Sequence, residues 1–307
     1  MSAIMPSGGP AAGWRPPGVP RGLRLADGRR LAWYEFGLGS GAPLFYFHGF
    51  PGTGVEAAWG HTQALAARLR LIAVDRPGFG GSSRKPGRSI GDFSQDVVRL
   101  ADHLGCDRFL VLGMSGGAPY ALASAALLEK RVRAAVVVSG LGPLSVPGSA
   151  TGMMPLNRLG LRLAGRHPGT LYPLVPAVGW LVRRWPQGLV RRLAAAACLR
   201  DRAVLLESGL GRVLAESFRR SVQPGSRGML EEATLFGRPW GEWLGDIGIP
   251  VYLHHGERDR VVPLSMAHGL TGRIPTCQAT YYPEGGHFSV VADHLADILG
   301  PVRNVAP

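Results

Sequence analysis

A chain of 307 residues that is 46% hydrophobic and 18% charged has enough apolar material for one large core, or a core with an attached subdomain, which excludes disorder throughout. Its formal net charge of +13 at pH 7 is carried almost entirely by arginine, Lys85 and Lys130 being the only lysines. Charge alone would admit a nucleic-acid partner, but there is no zinc-finger spacing, no RNA-binding aromatic signature and no basic region joined to heptads, so nucleic acid is not expected.

In chain order, MSAIMPSGGPAAGWRPPGVP (residues 1–20) reads as a flexible leader without the continuous apolar segment of a secretory signal. No later run approaches the roughly 20 apolar residues needed to cross a bilayer. Cys106, Cys198 and Cys277 are widely spaced and odd in number, which points to neither a disulfide framework nor a zinc site. A reducing cytoplasm is the expected compartment.

LRLADGRRLAWYEF, Leu23 to Phe36, carries a hairpin signal with Asp27-Gly28 at the turn. PLFYFHG follows as a buried strand running into a loop, then the helix HTQALAARL, then the strand LIAVDRPGFGGS closed by a Pro/Gly turn. DFSQDVVRLADHLG has Phe93, Val97, Val98, Leu100 and Leu104 at helical spacing, with Gly105 as a stop. The strand RFLVLG, the helix APYALASAALLEK and the strand VRAAVVVSG come next. Near-continuous apolar strands separated by helices predict an α/β fold, a mostly parallel twisted sheet with helices on both faces.

After Gly140 the pattern turns helical without a convincing strand, and it resumes at IPVYLHHGERD, MAHGLTGRI, ATYYPEGGH and VVADHLADIL. This predicts a core of residues 21–140 and 247–303 interrupted by a helical cap, residues 141–246. Between Glu129 and Asp201 there is no carboxylate, while arginines from Arg158 to Arg200 accumulate. Such a segment must be solvated, paired with acids elsewhere, or facing something anionic.

GMSGG, Gly113 to Gly117, stands where a strand hands over to a helix. A serine hydroxyl is a weak nucleophile and must stand clear of the sheet, reachable by a base on one side and a carbonyl on the other. A sharp turn achieves this; Gly113 and Gly117 remove side chains that would collide, and Gly116 leaves its amide open to a substrate oxygen. The pentapeptide alone also fits a serine that merely caps a helix. A serine nucleophile further needs an imidazole base and a carboxylate, expected later in the chain in the order acid, then histidine. Asp259 in HHGERDRVVP and His287 in PEGGHFS fall after strands in that order. Among competitors, Glu257 sits nearer the strand end and is expected to be solvated or paired with Arg258; one of His254 and His255 should face the core; His294 lies on a helix with exposed neighbours. HGFPGTG, His48 to Gly54, supplies a second Gly-rich loop, in which the Phe50 N–H would join that of Gly116 as an oxyanion donor, with His48 structural and Pro51 stiffening the turn.

With HGFPG, DRPGFGGS (Asp75 to Ser82), GMSGG, HGERDRVVP and GGH in one order from about Leu23 to Gly300, the sequence resembles the α/β-hydrolase superfamily, in its cap-bearing serine esterase and epoxide-hydrolase-like branch. The resemblance implies Ser115 as nucleophile, Asp259 as acid, His287 as base, and Phe50 with Gly116 as oxyanion donors. Epoxide hydrolase and haloalkane dehalogenase members use aspartate where this chain has Ser115, so an alkyl-enzyme mechanism is not implied. The expected activity is cofactor-free and metal-free hydrolysis of a small-molecule carboxylic ester. Cleavage of a C–C bond beside a ketone, a thioester delivered by an acidic carrier protein, and a non-catalytic receptor are the alternatives. Trp180, Trp185, Phe218 and Leu and Met residues of the cap are candidate walls of the cleft, the alternative for each being that it only packs the cap helices; the oligomeric state is left open.

Overall fold

The structure, a computed structural model, describes residues 17–304; the predicted 1–20 leader lies outside the described residues except for its last four positions. The runs flanking Asp27-Gly28 pair antiparallel as β1 (Arg21–Arg24) and β2 (Arg30–Gly37). Apolar runs and helices then alternate: β3 (Ala42–Phe47), α1 (His61–Ala66), β4 (Leu69–Asp75), α2 (Phe93–His103), β5 (Phe109–Met114), α3 (Ala118–Leu127) and β6 (Val132–Val138). Helix α1 is shorter than HTQALAARL because Arg68 takes a left-handed backbone (φ 59°), which turns the chain so that Leu69 enters β4.

From β6 onward the chain is helical: α4 (Pro155–Arg166), α5 (Pro168–Leu171), α6 (Val175–Arg184), α7 (Pro186–Ala196), α8 (Leu199–Glu207), α9 (Leu210–Ser221) and α10 (Arg227–Gly237). It returns to the sheet with β7 (Val251–Gly256), α11 (Leu264–Thr271), β8 (Cys277–Tyr282) and α12 (Ser289–Asn304). The sheet has eight strands in the order β1-β2-β4-β3-β5-β6-β7-β8; β1 and β2 are antiparallel and every pairing from β4 to β8 is parallel.

The sheet separates two apolar layers. One packs Phe45, Phe47 and Val111 against α2, α3 and α11, and the other packs Leu44, Leu71 and Leu112 against α1 and α12. With both faces covered, strands such as β5 are buried along their whole length, which is why they read as unbroken apolar runs. Because β3, β5, β7 and β8 run the same way, the loops that leave them meet at one edge of the sheet.

Candidate active site

The strand-to-helix handover after β5 is made in a single 3₁₀ turn, Ser115–Gly117. Ser115 has φ 53°, a left-handed conformation that costs a side-chain-bearing residue about 1–2 kcal/mol. The crowding that the two glycines were expected to relieve is present: a Cβ on Gly113 would lie 2.5 Å from the Gly117 carbonyl oxygen, and one on Gly117 would lie 2.0 Å from that of Phe47. No side chain fits at either position without moving backbone.

Asp259 and His287, from the loops after β7 and β8, are brought together. The Val261 and Val262 amides both donate to Asp259 Oδ1 at 2.8 Å, leaving Oδ2 to pair with His287 Nδ1 at 2.7 Å. Burial pushes the imidazole of His287 down. The Asp259 charge and hydrogen bond, joined by the charges of Asp201 and Glu56, outweigh that and hold its pKa above the usual 6.5. Ser115, Gly116, Phe50 and His287 all line one cavity of about 510 Å³.

The Gly49–Phe50 peptide is held from its carbonyl side, where Gly49 O lies 2.8 Å from His48 Nδ1 and accepts from Arg76 Nη2 at 3.1 Å. Since the peptide is planar and trans, the Phe50 N–H points the opposite way. Gly116 adjoins it, a Cβ there falling 2.8 Å from Phe50 Cβ. Burial, aided by the Arg76 charge, keeps His48 well below the usual imidazole range. It is therefore neutral, and its Nε2 accepts the Arg76 backbone N–H at 3.1 Å while Nδ1 donates to Gly49 O.

Four side chains around this arrangement escaped the sequence reading. Arg76, in a turn to which no functional side chain was assigned, is fully buried; it also donates to His48 O and, through Nε, to Glu232 Oε1 at 2.6 Å. Glu232, on α10, takes Arg88 and the Tyr120 hydroxyl on its other oxygen. Asp201, on α8, accepts from the amides of His287 (2.7 Å), Phe288 (3.0 Å) and Ser289 (2.8 Å) and from the Ser289 hydroxyl (2.8 Å). The only sign of it in the sequence is its place as the first acid after the carboxylate-free stretch. Glu56, half-buried in the cavity wall, accepts from Gly49 N–H, the Tyr46 hydroxyl and the Ser217 hydroxyl, and desolvation raises its pKa.

The competing residues are elsewhere. Glu257 is exposed, and Arg258 pairs with Glu284 at 2.7 Å rather than with it. His254 and His255 are both buried, the first against Tyr282 and the second with Nε2 3.0 Å from the Val262 carbonyl; His294 stacks on Tyr282. Phe218 lines the cavity, but Trp180 and Trp185 do not. They face outward from α6 and from the α6–α7 junction, because Val182, with Val175 beside it, takes the inner side of α6. The three cysteines are free. Among the described residues no group of three His, Cys, Asp or Glu side chains is arranged to hold a metal ion, and no helix is long and apolar enough to cross a membrane.

Residues 42–293 match the family model described as alpha/beta hydrolase fold. Over 116 residues, 38% of this chain, the sequence is 36% identical to the dihydrolipoyllysine-residue acetyltransferase component of the acetoin cleaving system of Pseudomonas putida, of which the match covers 31%. It is 28% identical to haloalkane dehalogenase 2 of Mycobacterium tuberculosis over 203 residues, 63% of this chain and 65% of that protein. The matched stretch thus spans less than two thirds of the length of either relative. Among solved structures, an esterase from Exiguobacterium antarcticum superposes with a TM-score of 0.66 at 18% identity, covering 94% of this chain and 99% of that one, a likeness of fold.

Proposed function

The chain belongs to the alpha/beta hydrolase fold family, and from that premise we propose that it is a serine hydrolase that cleaves carboxylic esters through an acyl-enzyme. The observation that carries this reading is the buried Asp259–His287 hydrogen bond of 2.7 Å, set in the wall of the cavity that also holds Ser115 on its left-handed turn.

In this mechanism Ser115 Oγ attacks the ester carbonyl carbon as its proton passes to His287 Nε2, the ring nitrogen not engaged by Asp259. The Phe50 and Gly116 amides donate to the oxyanion of the tetrahedral intermediate, and losing one such donor costs about 3–4 kcal/mol in the barrier. His287 returns the proton to the leaving alkoxide as the C–O bond breaks. Water, deprotonated by the same imidazole, then attacks the acyl-enzyme and releases the acid. Asp259 holds the tautomer and stabilises the imidazolium. Helices α4–α10, within residues 141–246, act as a cap over the core of residues 21–140 and 247–303.

The cavity wall supports one class of substrate. Leu44 lies three residues before Phe47, the end of β3, and Leu112 three before Ser115, about 10 Å down each strand at ~3.3 Å per residue, and both line the cavity together with Leu71, Leu295 and Leu299. Interiors are otherwise close-packed, so an apolar channel of this depth favours an ester with an extended apolar acyl group. Thioesters and C–C bonds beside ketones are within reach of the same chemistry, and turnover on a matched panel separates the three.

The test is intact mass after brief exposure to a fluorophosphonate. A single adduct on wild type, mapped to Ser115 and absent from Ser115→Ala, is expected, with turnover falling on the order of 10⁵- to 10⁶-fold in the variant. A folded wild type that takes no adduct, or a Ser115→Ala protein with undiminished esterase activity, would sink the proposal.

A further inference from the structure

The arginines of the carboxylate-free stretch play no part in the hydrolase site. Arg158, Arg162, Arg166, Arg183, Arg184 and Arg191 are exposed on α4, α6 and α7, and none of them is in an ion pair among the described residues, whereas nearby Arg200 pairs with Asp293. Since no acid lies between Glu129 and Asp201, nothing local in sequence neutralises them. On α4 the spacing of four places Arg158, Arg162 and Arg166 along one stripe.

The same helices expose large apolar side chains. Leu156 is 79% exposed, Trp180 66% and Trp185 62%, with Leu159, Tyr172 and Leu174 also open to solvent. Isolated exposed hydrophobics are ordinary, but most of those in the described chain are gathered between Leu156 and Leu206. Leu156, Leu174 and Val178 are at once exposed and part of the cavity wall, so the cavity opens through this surface.

We propose that the outer face of α4 to α7 docks on an anionic membrane surface, its cavity mouth turned toward the lipid. Trp, Tyr and Leu enter the boundary between headgroups and acyl chains, while the guanidinium groups meet the anionic headgroups. An apolar substrate then passes from lipid into the cavity without crossing water. A second copy of the chain is a poor occupant, because two such faces would oppose arginines with no carboxylate between them. An acidic protein matches the charge but not the apolar rim. The docking goes beyond the hydrolase reading and does not depend on the chemistry at Ser115.

The experiment is cosedimentation of the full chain with vesicles of phosphatidylcholine alone and of phosphatidylcholine with about one third phosphatidylserine. Partition onto the anionic vesicles is expected to be at least about tenfold stronger than onto neutral ones and to weaken as salt is added. Arg158→Glu combined with Arg162→Glu should weaken it at least about tenfold, and Trp180→Ala with Trp185→Ala should weaken it at both low and high salt. These side chains are exposed, so an unchanged melting temperature certifies folding in each variant. No sedimentation with anionic vesicles at low salt, equal sedimentation with both kinds, or charge-reversed protein that binds as well as wild type overturns the proposal. So does self-association, or capture by an acidic carrier protein, in a chain that ignores vesicles.

Discussion

His287 is held at three points. Its ring pairs with Asp259, its N–H donates to Asp201, and its carbonyl accepts the Ser139 hydroxyl at 3.0 Å. Asp201 comes so close that a Cβ on Gly286 would lie 2.4 Å from its carboxylate, which gives the second glycine of GGH a packing reason. Asp201 is on this account a positioning residue, supplied by the helical insertion to the loop that carries the proposed base. A base must be unprotonated to act, and His287 is held above 6.5, so kcat/KM for an ester should rise with pH through an apparent pKa above that value. Removing the Asp201 charge removes one of the forces favouring the imidazolium, so Asp201→Asn should move this acid limb to lower pH. Asp201→Ala should in addition lower kcat/KM by up to about 100-fold, the cost of a roughly 1 Å misplacement. A pH–rate series on the two variants checks both; an unmoved limb would mean that the carboxylate only supports the loop.

At the level of elements, α10 is tied to the core by a buried cluster rather than by apolar packing alone. Glu232, fully buried, is shared by Arg76 and Arg88, and Arg76 continues to the carbonyls of His48 and Gly49. Burial pushes the Glu232 carboxyl up, but the two arginines more than compensate and hold it below 4.5. Its contribution to stability is therefore present above that pH and is lost as pH falls through the lowered value. Glu232→Gln leaves two buried guanidinium groups short of a counter-charge and should cost about 3–5 kcal/mol in urea unfolding near neutral pH. It should also lower kcat, because Arg76 orients the Gly49–Phe50 peptide. Unchanged stability would show that buried water, not Glu232, satisfies the arginines.

At the scale of the whole molecule, the cavity runs from the exposed rim of α4 and α6 past Ser115 to the layer between the sheet and α12. An empty apolar space forfeits contacts that a ligand can restore. A fluorophosphonate with a long alkyl chain should raise the melting temperature more than one with a short chain, by a few degrees at roughly 2–4 °C per kcal/mol for a chain of this size class. Equal shifts, measured by calorimetry, would mean that the channel closes in solution. The helical run and the sheet edge were legible in the sequence because burial on both faces and helical periodicity leave local marks. Whether Trp180 and Trp185 line the cleft was not legible, because composition records that a side chain is aromatic, not which way its helix faces.

The sequence by itself determined the alternation of strands and helices, the turn around Ser115, and the loops bearing Phe50, Asp259 and His287, since each depends on residues adjacent in the chain. Only the tertiary structure decided that Asp259 meets His287, that Asp201 reaches the same loop, that Arg76 and Glu232 link α10 to the Gly49–Phe50 peptide, and that the arginines and tryptophans of α4 to α7 are left exposed on the outside. Those relations join segments tens to hundreds of residues apart. They arise from strand order and helix orientation, which are set by packing across the whole fold and leave no periodic trace in the chain.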